Sequence, residues 1–195
     1  MVNKSIKKNF IYNLVYQLMM LVSPLVVTPY VSRVLGVDNV GLYSYADSMV
    51  AYFALFAVLG TTTYGQRAIS YVQEEKEARS RAFWDIFLLR LMMSAVTLGA
   101  YVGYAFLFAR EHLVITLIFS LNVINVIFDI TWFMQGMEEF GKTALRSVLF
   151  RFACIAAIFL FVKDRGDLPL YALFMTAFTV LGNISLWLYL PKYLV

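Results

Sequence analysis

NFIYNLVYQLMMLVSPLVVTPYVSRVLG, Asn9 to Gly36, decides the fold, because no charged residue falls between Lys8 and Arg33. About 20 predominantly apolar residues are enough for a helix to cross a hydrocarbon core of roughly 30 Å. Pro24 and Pro29 lie inside the run. Each removes a backbone donor and crowds the preceding turn, so a bend is expected. Gly36 supplies a residue free to stop the helix, and Arg33 places a cation at the helix C-terminus, where the dipole favours one. The basic start, MVNKSIKKNF, resembles a signal peptide. The apolar run is too long for a signal core and no A-x-A pattern follows it, so it reads as a retained first span.

Five more segments of the same kind follow. The six spans are expected at about 9–35, 40–64, 82–108, 113–136, 143–162 and 168–190. None alternates as a strand would, and open backbone is not tolerated in lipid. The fold class is therefore all-α, a polytopic bundle of six transmembrane helices. Composition agrees, with 62% of the 195 residues hydrophobic and 14% charged, against about 25% charged in soluble domains. The longest polar connection expected is Gln66 to Arg81, in which EEKEAR reads as a solvated helix. Lys4, Lys7, Lys8, Arg67, Lys76, Arg79, Arg81, Lys142, Arg146 and Lys192 fall on one side. Arg33, Arg110, Lys163 and Arg165 fall on the other. The positive-inside rule puts the first side, with both ends of the chain, in the cytoplasm. The chain stops at PKYLV directly after the sixth span, so residues 1–195 are expected to be one transmembrane lobe of a longer protein.

Polar residues inside the spans are the candidates for chemistry. In span one, Asn9, Asn13, Gln17, Pro24 and Thr28 fall near one helix face. This stripe faces protein or water, or serves hydrogen bonds between helices. A kinked structural helix and a gate lining a cavity are equally open, with Pro24, Pro29, Arg33 and Asp47 as gate or coupling residues. Asp47 in span two could pair with Arg33. Span four carries Asn122, Asn125, Asp129, Trp132 and Gly136 at steps of three and four, one face of a continuous helix. Arg90, Asp129 and Arg151 each lie seven or eight residues from the same end of their spans. At 1.5 Å per residue that is ~10–12 Å inside. Two readings remain open for them: an Arg–Asp–Arg clamp between spans, and a cationic cavity suited to a phosphate-bearing substrate. The candidate substrate cavity is Arg90, Asp129, Arg151, Asn122, Asn125, Asn13 and Gln17. Gly60, Gly65 and Thr61-Thr62-Thr63 suggest close packing or local unwinding near the end of span two. Tyr43, Tyr45, Tyr101, Tyr104, Trp187 and Tyr189 fall where an aromatic belt would lie.

No nucleotide loop, zinc-protease motif or nucleophile motif occurs. The single cysteine and single histidine form no disulfide or metal framework. No enzyme activity, cofactor, metal or nucleic-acid partner is expected.

The chain resembles the polysaccharide-biosynthesis family. That family contains O-antigen and related repeat-unit flippases, in the exporter superfamily that also holds lipid II flippases and multidrug antiporters. The Pro-Tyr-x-x-Arg-x-Leu-Gly pattern is met at Pro29, Tyr30, Arg33, Leu35 and Gly36. Gly-x-Tyr-x-x-Ala is met at Gly41, Tyr43 and Ala46. Trp-Phe-x-Gln-Gly-x-Glu is met at Trp132, Phe133, Gln135, Gly136 and Glu138. FVKDRGDLPLY is similar to the family's loop before span six. The resemblance implies a two-lobed transporter in the bacterial cytoplasmic membrane, moving an undecaprenyl-diphosphate-linked oligosaccharide between leaflets. It implies membrane lipid and a C-terminal lobe as partners, with polysaccharide polymerase and chain-length proteins nearby. The alternatives are a multidrug or cation antiporter, a non-transporting scaffold of a polysaccharide-synthesis complex, and an integral-membrane transferase.

Overall fold

A computed structural model describes the backbone of residues 2–195 and the side chains of residue 14 and of residues 17–195 apart from Lys142. Among the described residues eight α-helices form the fold: α1 (Val2–Leu35), α2 (Val37–Val58), α3 (Thr61–Tyr71), α4 (Lys76–Phe108), α5 (Leu113–Phe128), α6 (Thr131–Gly136), α7 (Phe140–Phe161) and α8 (Leu168–Ile184). A 3₁₀ segment, Ser185–Lys192, prolongs α8. No strand occurs among the described residues, and six stretches are long and apolar enough to cross a membrane. The protein is an all-α polytopic membrane bundle. At its centre α5 packs on α2, α4 and α8, while α7 packs on α8 and on α1.

Several expectations need correction. Two expected spans are broken. Span two stops at Val58; Leu59 and Gly60 both have positive φ (38° and 71°) and the chain restarts as α3. Gly60 adopts this conformation without the steric cost of a Cβ, which is the unwinding anticipated at Gly60. Span four is not one helix either, since α5 ends before Asp129 and α6 begins at Thr131. The polar connection expected over Gln66 to Arg81 is mostly helix, because α3 runs to Tyr71 and α4 starts at Lys76. In α1 one helix runs through both prolines.

The apolar residues divide into two cores. One contains Val31, Leu35, Val50, Tyr101, Phe119, Val123, Ile158 and Ala172. The other contains Ile69, Phe83, Trp132, Phe133, Leu186 and Tyr193. Along α4, along α5–α6 and along α8, the polar residues Arg90, Asp129 and Asn183 fall between members of the two cores.

Each end of the bundle is tied by hydrogen bonds. At the Gly36 end, Tyr30 Oη donates to Val162 O at 2.7 Å, and Asn39 Nδ2 donates to Arg165 O at 2.8 Å and to Leu35 O at 3.1 Å. At the Glu75 end, buried Arg79 donates to the carbonyls of Gln73 and Tyr193. Tyr193 Oη donates to Glu139 Oε1 at 2.7 Å, and Val195 N donates to Ser80 Oγ at 3.0 Å.

Of the residues expected in an aromatic belt, Tyr101 is buried and Tyr43 and Trp187 are half-buried. Tyr101 is fully buried against Phe53, and Tyr43 lies on Phe119 and Tyr171. Trp187 donates from Nε1 to Phe128 O at 2.9 Å. Only Tyr45 and Tyr189 are exposed, with Tyr104 half-buried and its hydroxyl 3.1 Å from that of Tyr45.

Candidate functional site

Asp129 causes the break that organises the site. A short acidic side chain competes with the helix by bonding nearby backbone. Here Oδ1 accepts from Thr131 N at 2.9 Å and from Thr131 Oγ1 at 2.5 Å. The amide of Asp129 still donates to Asn125 O at 2.9 Å, closing α5. The backbone then turns extended at Asp129, with φ −74° and ψ 97°. Its carbonyl would be an orphan in lipid, where each unsatisfied backbone group costs several kcal/mol. Arg90 Nη1 donates to it at 2.8 Å, and Arg90 Nη2 lies 4.0 Å from Asp129 Oδ2. Arg90, 1% exposed, thus both satisfies the break and faces its carboxylate.

A cavity of ≈ 250 Å³ lies against this break, between α1, α7 and α8. Its polar lining is Asp129, Thr131, Arg146, Ser147, Arg151, Thr179 and Asn183. Met20 of α1 contributes an apolar part. Two guanidinium groups against one carboxylate make the lining cationic. Buried Arg146 donates from Nη2 to Asn183 Oδ1 at 3.3 Å, and Asn183 Nδ2 donates to Asn125 Oδ1 at 2.8 Å. Arg151, half-buried, donates from Nε to Ser23 Oγ at 2.5 Å. That leaves the Nη edge of Arg151, a residue that lines the cavity, without a hydrogen bond among the described residues. A guanidinium presented by this edge matches the two oxygens of a phosphate or carboxylate.

The candidate residues separate in space. Asp129 and Arg151 meet at the cavity. Arg90 stands behind Asp129 and does not line it. Asn125 is one bond removed, through Asn183, while Asn122 is half-buried on α5 away from the lining. Gln17 is exposed on α1 and the side chain of Asn13 lies outside the described residues. Pro24, Pro29, Arg33 and Asp47 are all exposed, and no ion pair joins Arg33 to Asp47 among the described residues. Trp132 and Gly136 do not continue a polar face. Trp132 is buried in the second core, and Gly136 packs against Ile69 and Gln66 of α3.

The sequence did not single out Thr131, Arg146, Ser147, Thr179 or Asn183 for the cavity, nor Ser23, which bonds Arg151. Arg146 reads as a loop cation beside Lys142, but α7 starts at Phe140 and carries it a full turn and more inside. Asn183 and Ser23 are single polar residues in otherwise apolar turns. That isolation is their only sequence signal.

A family model described as "Polysaccharide biosynthesis protein" matches residues 6–194. A protein of Escherichia coli (strain K12) named "Putative O-antigen transporter" is 26% identical over 183 residues. The alignment covers 92% of this chain and 44% of that relative, so the chain spans less than half the relative's length. No solved structure matches the chain.

Proposed function

The chain belongs to the polysaccharide biosynthesis protein family, and from that premise we propose that it forms the N-terminal lobe of a flippase for a lipid-diphosphate-linked oligosaccharide. The lobe lies in the bacterial cytoplasmic membrane with both ends of the chain on the cytoplasmic side. Moving a charged, sugar-bearing head through hydrocarbon unaided is prohibitive, since an isolated ion costs tens of kcal/mol to bury without partners. The observation that carries the reading is the cationic cavity at mid-helix, with Arg151 and Arg146 on one wall. There the diphosphate is held by charge-assisted hydrogen bonds, and Asn183, Ser147 and Thr131 meet sugar hydroxyls. The lobe alternates its exposure against a second lobe, and the bound head group stabilises whichever state encloses it. The role is transport rather than catalysis, consistent with the printed name of the relative. A cation or multidrug antiporter is disfavoured because two guanidiniums in the lining repel cationic drugs.

The test is transport of a lipid-linked repeat unit in cells, with insertion measured alongside. Arg151→Ala is expected to reduce transport at least tenfold at equal membrane abundance, with Arg151→Lys intermediate because it keeps the charge and loses the fork. Unchanged transport in Arg151→Ala would sink the cavity as the carrier site.

A further inference from the structure

We propose that Ser23 is a positioning residue that fixes the Arg151 guanidinium for anion capture and ties that capture to α1. The inference rests on the reading of the cavity as an anionic head-group site. Ser23 is 1% exposed on the face of α1 that also buries Val27 and Val31 against the bundle. Its hydroxyl accepts from Arg151 Nε at 2.5 Å. An arginine side chain has several rotatable bonds and loses considerable freedom when ordered. A hydrogen bond at Nε removes one of two ways the planar group can present its donors. It leaves the Nη1–Nη2 edge as the one offered to a ligand, already oriented.

The other two guanidiniums are placed differently. Arg90 is engaged with Asp129 through Nη1, facing its carboxylate through Nη2, and Arg146 reaches Asn183 through Nη2. Arg151 is held from behind, by a residue on another helix. A displacement of α1 relative to α7 breaks the Ser23–Arg151 bond and carries Met20 with it, while the lining residues of α7 and α8 stay in place. Capture of an anion by the pinned fork therefore favours the docked position of α1, and loss of the pin weakens capture.

Two measurements test this on the full-length protein in nanodiscs. The first needs no ligand: proton exchange at the Arg151 Nε–H, observed in [¹⁵N]arginine-labelled protein and assigned by its disappearance in Arg151→Lys. It is expected to be slow in the wild type, fast in Ser23→Ala and slow again in Ser23→Thr, which retains a hydroxyl. The second is binding of inorganic pyrophosphate. Ser23→Ala is expected to weaken it about three- to tenfold, the worth of one hydrogen bond, with Ser23→Thr restoring it. In the Arg151→Lys background Ser23→Ala should have no further effect, because the Nε–H it holds is gone. A purely structural serine would instead lower binding by the same factor in both backgrounds. Ser23→Ala that leaves the exchange slow, or binds like wild type while Arg151→Ala does not bind, overturns the role of Ser23 alone. Pyrophosphate binding unaffected by Arg151→Ala, or absent from the wild type, overturns the cavity reading and this inference with it.

Discussion

A Cβ added at Gly65 would lie 2.5 Å from Cε3 of Trp132, and one added at Gly136 would lie 2.8 Å from Cβ of Ile69 and 2.9 Å from the Gln66 carbonyl oxygen. These two contacts press α3 against α6. The costs differ, because a side chain can yield where backbone cannot. Gly65→Ala is expected to destabilise by about 1–3 kcal/mol, the usual range for overpacking, and Trp132→Leu should recover part of it by opening the space. Gly136→Ala should cost more and should not be rescued by any change at Ile69, since Gln66 O still blocks it. Thermal unfolding midpoints in detergent measure both. At the polar layer, Arg90→Ala leaves the Asp129 carbonyl and carboxylate without their cation. Leaving the Asp129 carbonyl without its donor costs about 1–3 kcal/mol, so folded yield should fall. Asp129→Asn retains an acceptor for Thr131 and is expected to be better tolerated. An Arg90→Ala protein as stable as Asp129→Asn would contradict the assignment of Arg90 as the group that satisfies the break.

The elements that break in mid-course are the ones that shape the molecule. In span two the turn at Leu59 and Gly60 lets α3 lie on α6; in span four the turn at Asp129 opens the wall of the cavity. Irregular backbone at such depth persists only where protein or a polar cavity supplies its partners. Gly60→Ala forces a Cβ into the left-handed region and should cost about 1–2 kcal/mol, although nothing lies within 4 Å of the added carbon. Gly41→Ala is the control: it has the same open surroundings and sits inside helix α2 without positive φ. It should be silent or mildly stabilising. Equal unfolding midpoints for the two variants would show that the turn at Gly60 is not held in its left-handed form. The motifs that carry the family resemblance mostly serve these joints. Tyr30 ties α1 to the end of α7, Gly36 turns the chain with φ 83°, and Trp132 and Gly136 fix α6 on α3. Their chemistry is packing and turning, with no contact to the cavity.

Across the whole molecule the two ends are built differently. The Gly36 end is closed by short turns in which Asn39 bonds Arg165, so Asp38 and Asp164 lie at the same end, both exposed. The opposite end carries the turn between α3 and α4 and the Arg79–Tyr193 ties. Single cysteines at Asp38 and Asp164 are expected to react with an impermeant maleimide added outside intact cells, and one at exposed Glu75 only after permeabilisation. Reaction of Glu75→Cys from outside would reverse the proposed orientation.

Hydrophobicity and length by themselves determined the six-span, all-helical bundle, because a lipid solvent allows a single chain few alternatives and run length reports span number directly. Gly36 as a stop was legible, since it rests on the local backbone freedom of glycine, while Gly60 could be read as close packing or as unwinding. Only the tertiary structure decided how the polar residues divide. The spacing of Asn122, Asn125, Asp129, Trp132 and Gly136 assumes an unbroken helix, and the break at Asp129 sends Trp132 and Gly136 into packing. Arg90, Asp129 and Arg151 could be placed at a common depth by counting. Which of them faces the cavity depended on Arg90 binding the carbonyl of a residue 39 positions away and on Arg151 meeting Ser23 across 128. Rotation of a helix about its own axis is fixed by contacts with its neighbours, and a one-dimensional pattern of apolar residues leaves that angle open when every face is apolar.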